Sequence, residues 1–150
     1  MSAVKSVLLA IVVATRKRDQ AGRVLMQVQR AWAFAQDQLN QLESYAAETD
    51  VRWTAAAQVG ATTELIRHHY QFMDRLQHAI GLQKGAVDSA CQRVDAAKQL
   101  VIEAEFRLAG LKQVLKKKQA DIALLETRRD QKQMDEFAAL RHRPAAGTYI

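Results

Sequence analysis

Residues 66–125, IRHHYQFMDRLQHAIGLQKGAVDSACQRVDAAKQLVIEAEFRLAGLKQVLKKKQADIALL, decide how the chain folds. An alternating step of three and four residues lands on Ile66, His69, Met73, Leu76, Ile80, Gln83, Val87, Ala90, Val94, Ala97, Val101, Ala104, Leu108, Leu111, Leu115, Lys118, Ile122 and Leu125. All but His69, Gln83 and Lys118 are apolar. A mean step of about 3.5 residues keeps one stripe against a partner only if two helices wind around each other left-handedly. The run excludes a strand and far exceeds the about 8–20 residues of an ordinary globular helix. It is a coiled-coil helix that needs a partner.

The partner lies upstream. The same step passes through Val4, Val7, Ile11, Ala14, Arg18, Ala21, Leu25, Val28, Trp32, Ala35, Leu39, Leu42, Ala46, Thr49, Trp53 and Ala56, with only Arg18 and Thr49 not apolar. Gly22 weakens this first helix by about 1 kcal/mol relative to Ala. The break falls near Gly60, after which Thr62 or Thr63 can cap a new helix and Glu64 sits where the helix dipole favours an anion. A short connection favours antiparallel neighbours. The expected fold is all-α, an elongated antiparallel two-helix coiled-coil hairpin over residues 1–140, with a helix over about 3–58, a turn over about 59–63 and a helix over about 64–140. Gly81 and Gly85 mark a soft place where a short helix could end and the long one begin, and Gly110 is another. The period is lost in RHRPAAGTYI (residues 141–150), where Pro144 ends any helix, so a flexible tail is expected.

Composition supports this reading. Among 150 residues there are one proline and six glycines, few aromatics, and much Ala, Gln, Leu, Lys, Arg and Glu. An Ala-rich stretch of the second stripe (Ala90, Ala97, Ala104) packs closely but buries little, so marginal stability is expected. The formal net charge of +6 admits nucleic acid, an anionic membrane or an acidic protein surface as partner. The lone Cys91 cannot form an intrachain disulfide and fits a reducing compartment. Residues 7–14 (VLLAIVVA) resemble the core of a signal peptide, but they fall short of the about 20 apolar residues a span requires. Arg16, Lys17 and Arg18 follow where a cleavable signal would carry small residues. The segment reads as helix and the protein as cytoplasmic.

No catalytic signature is present: there is no phosphate-binding glycine loop, no nucleophile elbow and no strand to mount either. His68, His69, His78 and Asp74 do not converge as a metal site, because only Asp74 and His78 share the i,i+4 spacing and two ligands are too few. Neither metal nor cofactor is expected. Basic residues cluster at Arg16, Lys17, Arg18 and Arg23, and again at Lys112, Lys116, Lys117, Lys118, Arg128, Arg129 and Lys132. A hairpin turning near residues 60–65 would set the two clusters at one level, as a collar around the end that carries both termini. No stacking aromatics are interleaved with these charges, which argues against nucleic acid.

Two segments resemble the FliJ family of flagellar type III export proteins. Residues 65–80 (LIRHHYQFMDRLQHAI) look like that family's "YQxFxxxLxxAI" region, and residues 128–137 (RRDQKQMDEF) like its C-terminal "RREQKxMDE" signature. The resemblance implies an antiparallel two-helix coiled coil, similar to the central stalk of rotary ATPases, that enters the ring of a hexameric export ATPase. It also implies contact with the linker of the export-gate membrane protein and the handing over of export chaperones. On that analogy Phe72, Leu76 and Ala79 match the gate-contacting patch. Arg128, Arg129, Gln131, Lys132, Met134, Asp135 and Glu136 match the C-terminal signature and, with Arg16, Lys17, Arg18, Lys116 and Lys117, are expected to dock the ring. Two positions depart from the family pattern. Gln83 stands where a gate-contacting histidine is expected, and VLLAIVVA is more apolar than the charged start the family suggests.

The expectation is a non-enzymatic export component, cytoplasmic and peripherally held at the inner face of the cell membrane at the flagellar base, with no span of its own. The stalk of a virulence injectisome and a self-associating structural coiled coil are the alternatives.

Overall fold

The chain reverses at Gly60. Its φ of +127° is a conformation that L side chains rarely adopt, so the absence of a Cβ allows the turn. The Gly60 amide donates to Ala57 O at 3.3 Å and closes the helix before it. On the far side Leu65 N donates to Thr62 Oγ1 at 3.2 Å and Ile66 N to Thr62 O at 3.1 Å. Of the two candidate caps, Thr62 is the one used: its hydroxyl satisfies an amide that has no helical partner. Glu64 occupies the first turn beyond it.

The computed structural model describes residues 2–142 and contains two helices, α1 (Ser2–Val59) and α2 (Thr63–Arg141). They pack against each other as an all-α hairpin, as the two stripes require. Hydroxyl residues inside the helices return their protons to the preceding turn, as Thr15 does to Ile11 O at 2.7 Å and Thr54 to Asp50 O at 2.9 Å. α2 runs unbroken through Gly81, Gly85 and Gly110, which corrects the expectation of a short helix ending there. Neighbouring packing holds these turns despite the weak propensity of glycine. The flexible tail expected for 141–150 lies outside the described residues from 143 onward.

Packing divides the described residues into two compact units, residues 17–105 and residues 2–16 with 106–142. In the first unit Leu39, Ala46, Leu76, Ile80 and Val87 form the core, with Ala35, Leu42 and Met73 packed against them. Gln83 sits on the same stripe and bridges the helices: its Nε2 donates to Ala35 O at 2.9 Å and lies 3.4 Å from Gln38 Oε1. Nearer the turn the Trp53 and His69 rings stack, with centroids 4.2 Å apart and planes 9° from parallel. Further from the turn Ala90, Val94 and Ala97 continue the buried stripe with smaller side chains.

In the second unit Val7, Ala14 and Leu108 are buried. Val4, Ile11, Leu111, Leu115, Lys118 and Ile122 are half-buried. Beyond Ile122 every described residue of α2 is exposed. The helices differ in length, 58 residues against 79, so the end of α2 has no stretch of α1 to cover it.

Candidate functional site

Three sets of side chains could meet a partner, and helix periodicity decides what each presents. In residues 17–105, Phe72 and Ala79 flank the buried stripe while Leu76 lies on it. Phe72 is exposed and meets Tyr45 of α1 edge-on, with ring centroids 6.2 Å apart and an angle of 82°. Ala79 is half-buried. Leu76 is 8% exposed and belongs to the core, which corrects its place in an exposed contact patch. Its position on the three-four step already pointed inward. What this surface offers is Phe72 with Tyr45, shaped from within by Leu76. The partnership with Tyr45 was not legible in the sequence, because Tyr45 falls off the α1 stripe.

Gln83 is equally informative. Its amide is committed to α1 through the hydrogen bond to Ala35 O. A polar group half-buried on an apolar stripe needs such a partner, and a specific one favours a single register over its neighbours.

The basic residues expected to form a collar are divided between the two compact units. Facing residues have numbers that total 117 to 122 (Tyr45 with Phe72, Ala35 with Gln83, Trp53 with His69). Within the unit 17–105 that register sets Arg18 against residues of α2 near 100. Lys17 and Arg18 belong to the unit 17–105, whereas Arg16, Lys116 and Lys117 belong to the other. Arg18 is also occupied locally: its Nε and Nη2 donate to Asp19 Oδ1 at 3.2 and 3.0 Å. Arg16, Lys17, Lys116 and Lys117 are exposed.

The C-terminal set is the most accessible. Arg128, Arg129, Gln131, Lys132, Met134, Asp135 and Glu136 all lie on the single helix beyond Ile122, and all are exposed. Continuing the three-four step past Leu125 reaches Arg129, Lys132, Glu136 and Ala139, a stripe too polar to zip with a neighbour. Apolar side chains nevertheless stand in water there, including Met134, Phe137 and Leu140. The Arg141 guanidinium lies 5.4 Å from the Phe137 ring centroid, within cation–π range.

Among the described residues no three or more metal-ligating side chains converge, and no helix is long and apolar enough to cross a membrane. His69 is engaged with Trp53.

The geometry is that of a hairpin with one helix outrunning the other, and comparison with known proteins places it. The family model described as Flagellar FliJ protein matches residues 9–147. The chain belongs to the FliJ family. A Flagellar FliJ protein of Escherichia coli (strain K12) is 32% identical over 126 residues, covering 83% of this chain and 85% of that protein. A second, from Salmonella typhi, is 30% identical over 125 residues with the same coverage. The FliJ match takes in Phe72, Ala79 and the whole C-terminal set, and begins at Leu9, inside the apolar opening of α1.

Proposed function

We propose that the chain is a non-enzymatic component of the bacterial flagellar protein export apparatus, binding the hexameric export ATPase in the manner of a central stalk. One observation supports this above the rest. The RRDQKQMDEF segment is presented on an unaccompanied helix, with every side chain from Arg128 to Phe137 exposed. A single helix about 10–12 Å across fits an opening that two packed helices would fill. Its mixed charges supply hydrogen bonds and ion pairs on all sides. Membership of the FliJ family supports the flagellar setting over a virulence injectisome.

In this reading Arg128, Arg129, Gln131, Lys132, Met134, Asp135 and Glu136 make the principal contact with the ring, and Arg16, Lys17, Lys116 and Lys117 add long-range attraction. Phe72 and Ala79, backed by Leu76, meet the linker of the export-gate membrane protein. Export chaperones are handed over along the same hairpin, at the inner face of the cell membrane.

Co-purification with the export ATPase tests the proposal. The wild-type chain should be retained and should alter ATP hydrolysis. Arg128→Glu with Arg129→Glu should weaken retention by at least about tenfold, more so at low ionic strength. A chain that neither binds the ATPase nor changes its turnover refutes the proposal.

A further inference from the structure

The opening of α1 carries a second apolar face that the hairpin does not use. Val4, Val7, Ile11 and Ala14 turn inward, and at about 100° per residue Leu9 and Val13 point the other way with Leu8 and Val12 on the flank between. All four are exposed, Leu9 by 67%. Lys5 and Arg16 fall on the same outer arc, one at each end of the apolar group, and both are exposed. Segments 2–16 and 106–120, which belong to one unit, carry Lys5, Arg16, Arg107, Lys112, Lys116, Lys117 and Lys118 and not a single Asp or Glu. Acidic side chains begin just outside these segments, at Asp19, Glu105 and Asp121.

We infer that this face of α1 lies on an anionic lipid surface. Aliphatic side chains of that size suit the boundary between headgroups and acyl chains. Lys5 and Arg16 can bury their stems there while their charges reach lipid phosphates. The eight apolar residues from Val7 to Ala14 are too few to span a bilayer, so the helix rests in its surface. A second copy meeting it through the same face is a poor occupant, because it would bring like charge against like charge. An acidic protein surface would satisfy the cations but leave four aliphatic side chains without an explanation.

The inference goes beyond ring docking and is tested without the ATPase. The full chain is sedimented with vesicles of phosphatidylglycerol and phosphatidylcholine, and with vesicles of phosphatidylcholine alone. Binding to the anionic vesicles only, diminishing as salt is raised, is expected. Leu9→Ser with Val13→Ser should weaken it by about tenfold with helicity unchanged by circular dichroism, since neither side chain is in the core. Lys5→Glu should weaken it as well. Absence of sedimentation, equal binding to neutral vesicles, or a double variant that binds like wild type would each overturn the inference. So would a double variant that keeps its lipid binding but loses the ATPase, because the face would then be a protein interface. Failure of the vesicle experiment alone leaves ring docking standing.

Discussion

Two stretches of the same helix, residues 66–122 and 123–141 of α2, have the same backbone and very different surroundings. In the first, a residue is buried or half-buried at nearly every third or fourth position; in the second, none is. The cause is not helix propensity, since the second stretch is rich in good helix formers. It is the reach of α1. Where a neighbour exists, Leu76, Ile80 and Val87 leave water; where it stops, Met134, Phe137 and Leu140 stay in it. The first stretch therefore sets stability and the second is left for contact with other molecules.

The sharpest way to break this contrast is truncation on each side of it. Ile80→Ala, at a site 5% exposed, should cost about 3 kcal/mol in urea unfolding. Phe137→Ala, 62% exposed, should change it by less than about 0.5 kcal/mol despite removing a larger side chain. Equal effects would mean that the end of α2 is covered after all.

The turn comes next, because it brings α1 alongside α2. Gly60→Ala forces a Cβ into φ +127° and should cost about 1–2 kcal/mol, although nothing lies within 4 Å to collide with it. A neutral result in thermal unfolding would show that the turn relaxes without strain. The smallest effect expected of a core change is at the polar rung. Gln83→Ala should lose about 1 kcal/mol through the hydrogen bond to Ala35 O. A double-mutant cycle with Gln38→Ala should show little further coupling, because that contact is the longer one at 3.4 Å.

Much of the fold was legible in the residues, and the candidate site much less so. Every position of the two stripes is buried or half-buried except Trp32, Ala56, Ile66 and Leu125, which are exposed; the last three lie at the stripe ends. Heptad spacing reports which side of a helix avoids water, so this agreement is direct. Gly81 and Gly85 misled because propensity is a local quantity, and packing over many turns outweighs about 1 kcal/mol per glycine. Leu76 was legible twice over, as a member of the stripe and of a family contact patch, and the stripe decided. Leu8, Leu9, Val12 and Val13 could have been noticed as apolar residues off the stripe, but only the structure leaves them bare.

The amino-acid sequence by itself determined that the chain is helical, where it turns, which capping residues are available and which face of each helix is apolar. Only the tertiary structure decided the register, and with it the partners of Gln83 and Phe72. The physical reason is that a seven-residue repeat looks the same after sliding by seven. Turn geometry and the hydrogen bonding of Gln83 to α1 distinguish one sliding position from the next, and both exist only once the chain has folded back on itself.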